Sequence, residues 1–471
     1  MTPAAALPRV VIAGLSGDSG KTVVSLALLL VAHQRGFAVR AFKKGPDYID
    51  AAWLTWASGQ PARSLDSFLM GFERAVGSFR RHAVSEGLHL IEGNRGLYDG
   101  ADAQGTHSTA ELAKALEAPV ILVVNATKLT RTAAALVLGC QKLDPAVRIA
   151  GVILNQVSGV RHERVVREAV ESTCGVPILG VLPRASGDNP IPGRHLGLVT
   201  PEEHAGIEVL KRNLLTLTRE GLDFDALLRV ARGAPPLAAS VPEEPAFAGC
   251  GLRIGCLRDS AFTFYYPENL EALAAAGAEL APVSALTDSV LPPELDALYI
   301  GGGFPETHGP RLSANQPFLA SLRAAARGGL PIYAECGGLM LLAQYIRWEW
   351  EVFPMAGVLP FGVEVCRQPR GHGYTVLEVD TANAFFPVGL TLRGHEFHYS
   401  RILPEGPPAA TACAVRRGTG CGQGRDAAIA HNVWASYTHL HALGTPEWAP
   451  GLLAAARSFR RGRGQKSGRE S

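Results

Sequence analysis

The stretch that most restricts what this chain can become is Val10–Asp50. Val10-Val11-Ile12-Ala13 is a short β-branched run that predicts a strand. It feeds Gly14-Leu15-Ser16-Gly17-Asp18-Ser19-Gly20-Lys21-Thr22, after which Val23–Ala32 continues as an apolar helix. A loop between a strand and a helix N-terminus turns several backbone N–H groups, and the positive end of the helix, toward one point, which suits a triphosphate. Gly17 and Gly20 would let the backbone close round the phosphates, Lys21 would neutralise the β/γ oxygens, and Thr22 would offer its hydroxyl to Mg²⁺. The spacing departs from the usual pattern. Five residues rather than four separate Gly14 from Gly20-Lys21, and Leu15 stands where the first glycine belongs. Asp18, an acid close to the expected phosphates, should face solvent. The competing reading is a glycine turn that merely packs a helix on a sheet; the strand–loop–helix context and the intact Gly-Lys-Thr favour a nucleotide site.

With 471 residues the chain should form two or more domains with ample core. A net charge of +2 argues against nucleic acid as an obligate partner. The eight cysteines are scattered without a CxxC pair, so neither a disulfide framework nor a structural zinc is expected. The first nine residues lack the organisation of a secretion signal, and Val23–Ala32 is too short to span a bilayer. The expectation is a soluble, cytoplasmic protein that engages no membrane. The basic stretch from Arg457 to the end reads as a solvated, disordered tail. Nothing fixes the oligomeric state, which leaves a homodimer open.

Strand candidates at Ala38–Phe42, Leu88–Ile91, Val120–Val124, Ile149–Leu154 and Ile178–Val181 alternate with helical patterns at Ser108–Leu116, Ala133–Lys142 and Glu163–Ser172. Such alternation implies βαβ crossovers and a parallel sheet covered on both faces. Ligands of such sheets bind outside the carboxyl ends of the strands, which is where the informative polar residues fall. Lys43-Lys44-Gly45-Pro46-Asp47-Tyr48-Ile49-Asp50 follows the second strand. Its two carboxylates, Asp47 and Asp50, suit a shared metal or a second substrate, whereas a single Asp there would read as a helix N-cap. Glu92 ends the next strand, where a Mg²⁺-linked carboxylate belongs, and Gly93 to Gly100 place glycines around Asp99 for close approach to a bulky ligand. Asn125 and Asn155 also end strands; each is open between reading an adenine edge and serving a turn.

Residues 234–248 are rich in Pro, Ala and Glu without apolar period and read as a linker, dividing an N-terminal domain (1–233) from a C-terminal one (249–456). A strand at Leu252–Cys256 restarts the pattern, and one at Ala297–Ile300 runs into Gly301-Gly302-Gly303. The decisive piece is Pro331-Ile332-Tyr333-Ala334-Glu335-Cys336-Gly337-Gly338-Leu339, a strand ending at a cysteine followed by an apolar helix at Leu339–Tyr345. This is a nucleophile elbow with Cys in place of Ser. The helix N-terminus would favour thiolate. The N–H after Cys336, joined by one from the Gly301–Gly303 loop, would form an oxyanion hole. The other seven cysteines read as structural.

Taken together, Gly-Asp-Ser-Gly-Lys-Thr, Lys-Gly-Pro-Asp-Tyr-Ile-Asp and Glu-Gly-Asn-Arg-Gly-Leu-Tyr-Asp-Gly, in this order and spacing, resemble the cobyrinate a,c-diamide synthases. The resemblance runs through nearly the whole chain, and cobyric acid synthases lack the Gly-Pro-Asp-Tyr-Ile-Asp stretch. It implies an α/β protein with an N-terminal P-loop parallel-sheet domain, like dethiobiotin synthetase, and a C-terminal class I glutaminase-like α/β domain. It ties Asp47, Asp50, Glu92 and Asp99 to Mg²⁺ and to presenting a substrate carboxylate. Gly394-His395-Glu396-Phe397-His398-Tyr399-Ser400 and Ala435-Ser436-Tyr437-Thr438-His439-Leu440-His441 resemble the family's glutaminase domain, and the Tyr-x-His position singles out His439 as the base for Cys336. Ordinary class I glutaminases carry a Glu two residues beyond that His; here the place is His441. The family is triad-less, so a dyad is implied and the group that orients His439 stays open. His395, His398 and His441 stay open between structural and site roles.

The implied activity is ATP- and glutamine-dependent amidation of the c and a acetates of cobyrinate, through an acyl phosphate and channelled ammonia. Lys43, Lys44, Arg63 and Arg95 are candidates to receive carboxylates of such a tetrapyrrole. The same motifs would serve hydrogenobyrinate, sirohydrochlorin, its nickel form or sirohaem. A different class, a nucleotide-switch ATPase with a decayed glutaminase-like appendage, would have no need of Cys336.

Overall fold

The computed structural model describes residues 7–184, 193–194, 197–237, 250–403 and 409–467. It divides into two compact units, Met1–Glu243 and Glu244–Ser471. The greater part of the expected linker lies outside the described residues.

In the first unit a seven-stranded parallel sheet has the order β3 (Arg63–Ser64), β2 (Val39–Lys43), β4 (Leu88–Glu92), β1 (Arg9–Gly14), β5 (Val120–Asn125), β6 (Ile149–Val157) and β7 (Ile178–Pro183). The β-branched runs are buried on both faces, as a parallel sheet between helices requires; Val11, Ile12, Ile121 to Val124 and Val152 to Leu154 are essentially inaccessible. Helix α1 (Lys21–Gln34) is apolar on nearly every side because it lies between the sheet and the helices Tyr48–Ser58 and Ile207–Gly221. The order sets β4 beside β1 and β2 beside β4, so the carboxyl ends of these three strands form one rim.

The second unit is built on a ten-stranded mixed sheet. Five parallel strands come first: Glu279–Val283, Arg253–Leu257, Ala297–Ile300, Ile332–Glu335 and Val433–Ser436. The antiparallel part follows as Arg425–Ala430, Thr411–Arg417, Gly371–Val379, Thr391–His398 and His439–Leu440. Alternation along the parallel strands sends Leu298, Ile300, Ile332 and Ala334 into one apolar cluster, and Ala297, Tyr299 and Tyr333 into another with Trp434 and Trp448.

Two local expectations differ. The helix after Cys336 is Gly337–Leu342, and Tyr345–Trp348 instead pairs with Glu351–Pro354 as a hairpin. Ala343 is already extended (ψ 172°), and Tyr, Ile and Trp favour the pleated form. The basic stretch expected as a disordered tail continues a helix, Trp448–Ser467. Leu452, Leu453 and Ala456 bury its apolar stripe, and the Arg460 guanidinium donates to the fully buried Asp296 carboxylate at 2.9 Å. Residues 468–471 lie outside the described part.

Candidate functional site

The loop after β1 turns back on itself. Gly20 has φ +97° and opens α1; a Cβ there would meet the Asn155 amide nitrogen at 2.2 Å, so only glycine fits. Asn155 comes from the end of β6 and donates from that nitrogen to the Ser19 carbonyl at 2.9 Å, bracing the loop. Its oxygen accepts from Gln156 N–H at 2.9 Å. Asn125 is spent locally, accepting from the Thr127 N–H and hydroxyl at 3.0 and 2.6 Å. Gly17 and Asp18 are exposed at the loop crest. The Lys21 ammonium folds over the loop, donating to Ser16 O at 2.8 Å and Gly17 O at 3.1 Å. Burial, and then the neighbouring Lys43, push Lys21 down to about 8. The negative charge of an incoming polyphosphate would oppose both effects. Beyond Asn155 a cleft of about 810 Å³, lined among others by Thr127, Leu129, Gln156, His162 and Arg184, opens at the ends of β5, β6 and β7.

Beside the loop, the rim carries a cluster that no single motif announces. The Thr22 hydroxyl donates to Glu92 Oε1 at 3.0 Å. The Lys43 ammonium reaches the same oxygen at 2.9 Å and Asp50 Oδ2 at 2.6 Å. Glu92 is fully buried, and burial raises its carboxyl above the usual range against the opposing pull of Lys43. Lys43 is itself buried, but its two carboxylates hold it protonated and raise it further. Asp47 caps the helix Tyr48–Ser58, one oxygen accepting from Ile49 and Asp50 N–H at 2.9 Å each. Burial and the Asp50 charge push Asp47 up to about 6. Asp99 is exposed and closes its own turn, accepting from Gly96 N–H at 2.8 Å. The structure thus gathers Thr22, Lys43, Asp50 and Glu92 into one contact set and leaves Asp99 on an exposed turn. Sequence reasoning offered Lys43 only as a receptor for substrate carboxylates. Its engagement with Asp50 and Glu92 follows from strand order, which local sequence does not state.

In the second unit Cys336 is 6 % exposed and sits at φ +48°, ψ −99°, a left-handed strand-to-helix elbow that a non-glycine residue adopts only under constraint. Its N–H is tied to Ser436 O at 2.7 Å. Of the three glycines opposite, Gly301 N–H donates to the Tyr265 hydroxyl at 2.8 Å and Gly302 N–H to Phe264 O at 3.2 Å. That leaves Gly303, whose nitrogen lies 3.0 Å from where a Cβ on Gly337 would stand. Gly303 N therefore packs directly against Gly337, whose N–H hydrogen-bonds the Cys336 sulfur. Burial, then the charge of Glu306, push the Cys336 thiol above its ordinary range. This overrides the thiolate expected from the helix end: that helix spans six residues, and Glu335 and Glu396 add to the negative field. The thiol needs a base.

The histidine the sequence nominated, His439, lies against the adjoining glycine loop. Its ring abuts Gly302, with Cε1 2.6 Å and Nε2 3.4 Å from the position of an added Cβ. Nδ1 lies 3.2 Å from Glu335 Oε2. His395 stacks on it with centroids 5.0 Å apart and meets the Tyr266 hydroxyl at 3.2 Å. Burial and the nearby histidines push His395 well down, so it is neutral. His441 turns elsewhere, toward Glu268 at 3.6 Å and the Tyr266 ring. His398 lies flat on Tyr437 at 3.8 Å and faces the Ser400 carbonyl. Glu396 is buried, yet hydrogen bonds from His398 and from the N–H groups of Gly420 and Thr419 hold it below the usual range. The contact the sequence reading did not assign is that of Glu335 with His439; its signal was an acid directly before Cys336.

The two units define the class: a nucleotide-binding domain joined to a glutamine amidotransferase domain. The CobQ/CobB/MinD/ParA nucleotide binding domain matches residues 10–199, and the CobB/CobQ-like glutamine amidotransferase domain matches residues 253–447. A cobyrinate a,c-diamide synthase of Magnetococcus marinus is 42% identical over 452 residues, covering 95% of this chain and 96% of the relative. That of Archaeoglobus fulgidus is 40% identical over 439 residues, covering 93% and 95%. The chain belongs to the cobyrinate a,c-diamide synthase family, whose members are glutamine-dependent amidating ligases. Among the described residues no helix is long and apolar enough to cross a membrane.

Proposed function

We propose that the chain uses ATP and glutamine to amidate the a and c acetate carboxylates of cobyrinate, a step of cobalamin biosynthesis. The observation that carries this reading is the constrained elbow at Cys336, with Gly337 packed against the Gly303 nitrogen and His439 against the neighbouring Gly302; the N–H groups of Gly303 and Gly337 are the proposed oxyanion hole. His439 takes the thiol proton, and the sulfur attacks the side-chain amide of glutamine. The oxyanion is held by the two N–H groups, ammonia leaves, and water cleaves the thioester.

In the first unit the substrate carboxylate cannot be displaced directly, because oxide would have to leave. Transfer of the γ-phosphoryl group gives an acyl phosphate, from which ammonia expels phosphate. Lys21 neutralises the phosphate oxygens, Gly17 and Gly20 shape the loop round them, and Asn155 holds that loop closed. The purine is proposed to lie in the cleft beyond Asn155. The rim fits Mg²⁺. Thr22 and Glu92 are hard oxygen donors already in contact, Asp47 and Asp50 lie in the same acidic group, and Lys43 already serves there as the cation. Bound at Thr22, Glu92 and Asp47, the ion would offset charge developing on the transferred group. Asp50 and Asp99 are proposed to position the substrate carboxylate, with Lys44 and Arg95 near the same loops.

The test pairs two variants. Cys336→Ala loses glutamine-dependent amidation and keeps turnover with added ammonium; failure of ammonium to support it would break the division of labour. Lys21→Ala abolishes both routes, and surviving ammonium-dependent product would remove ATP from the mechanism. Mass spectrometry of product from cobyrinate, hydrogenobyrinate, sirohydrochlorin and sirohaem decides the substrate.

A further inference from the structure

We propose that Glu335, the residue directly before the nucleophile, is the positioning residue for His439 and fixes which ring nitrogen carries its proton. The inference rests on the glutaminase reading of Cys336 and His439. Glu335 Oε2 lies 3.2 Å from His439 Nδ1, while Oε1 accepts the Leu440 N–H at 3.1 Å and the Tyr333 hydroxyl at 3.2 Å. One carboxylate thus grips the ring of one residue and the backbone of the next. Both side chains are shut off from water, 0 % exposed for Glu335 and 3 % for His439. The strand ending at Glu335 pairs directly with the strand ending at Ser436, three residues before His439, so acid and base are carried on adjoining backbone. Two residues beyond the histidine, His441 is occupied with Glu268 and offers no carboxylate.

An ionised carboxylate only accepts, so the proton of neutral His439 sits on Nδ1 and the lone pair on Nε2. The thiol proton then moves to Nε2 as sulfur bonds to the amide carbon and the carbonyl π pair goes to oxygen. When the carbonyl re-forms, the C–N bond breaks and the proton on Nε2 passes to the departing nitrogen, giving ammonia. Between these steps the imidazolium lies against the Glu335 charge. A rigid acid behind the ring supplies both tautomer and counter-charge, the two services of a triad's third member. Here it comes from the nucleophile's own strand.

The test is Glu335→Gln. The glutamine oxygen can keep Leu440 N–H and the Tyr333 hydroxyl, which turns the amide NH₂ toward Nδ1 and forces the proton onto Nε2, where it blocks uptake from the thiol. Glutamine-dependent kcat should fall at least about 100-fold with KM for glutamine little changed. Amidation driven by ammonium should continue, and Glu335→Asp should recover part of the loss. A Glu335→Gln enzyme within threefold of wild type overturns the proposal. A second measurement does not depend on how the variant folds: in wild-type enzyme, ¹⁵N NMR, with His439 assigned by difference against His439→Gln, should show the Nδ1–H tautomer. The Nε2–H tautomer overturns the proposal. A wild-type chain that releases no ammonia from glutamine sinks the glutaminase reading itself, a result distinct from a working wild type beside an unimpaired Glu335→Gln.

Discussion

Gly302→Ala isolates the placement of the histidine from its chemistry. The added methyl would stand 2.6 Å from His439 Cε1 where ordinary contacts begin near 3.4 Å, so the ring has to retreat by about 0.8 Å. It cannot swing freely, because Nδ1 is held by Glu335 and His395 is stacked against it. The methyl also presses the Phe264 ring at 3.3 Å, which limits escape the other way. A shift approaching 1 Å in a group that must take a proton and return it costs on the order of 100-fold in rate. Overpacking adds about 1–3 kcal/mol of destabilisation, or a few degrees in the melting midpoint. Glutamate release from glutamine should therefore drop about 100-fold, while ammonium-driven amidation persists in a folded protein. Turnover of glutamine within threefold of wild type would mean that the ring position inferred from Gly302 does not govern the step.

Lys43→Met should leave Asp50 and the buried Glu92 facing each other without their cation, at a cost of about 3–5 kcal/mol. Urea unfolding reads this, and Mg²⁺ with ATP should raise the variant's midpoint more than that of wild type; a loss under about 1 kcal/mol would deny the cluster its electrostatic character. Stability below neutral pH has an identified contributor in His89, which burial, and then the Arg9 charge, push down to about 4 although its Nδ1–H donates to Pro8 O at 2.7 Å. The folded value lies below the unfolded one, so the contribution is complete above pH 6.5 and is lost as pH falls toward 4. At pH 5 the loss is about 2 kcal/mol. His89→Gln, which keeps a donor and an acceptor, should not show that share, and an equal gap between the two proteins at pH 7.5 and pH 5 would refute it.

What could be read from the chain without coordinates follows from how local each interaction is. The loop Gly14–Thr22, the strand before it and the helix after it are one continuous run of sequence. Their geometry is set by neighbours, which is why the loop and the alternating strands of the first unit were legible. The elbow at Cys336 was legible for the same reason. Extent was less so: Tyr345 leaves the helix expected for it, and the stretch from Arg457 to Ser467 stays helical, because burial of Leu452 and Ala456 and the pull of Asp296 act from elsewhere in the fold. The charge pairs lay furthest from view. Lys43 meets Glu92 across 49 residues because β2 and β4 are neighbours, and Glu335 meets His439 across 104 because two strands run side by side. A motif can nominate the atoms that react, but the groups that set their proton positions and counter-charges are recruited by strand order. In this fold the acid that meets the His439 ring stands one residue from Cys336 and cannot be assigned to that histidine until the sheet is assembled.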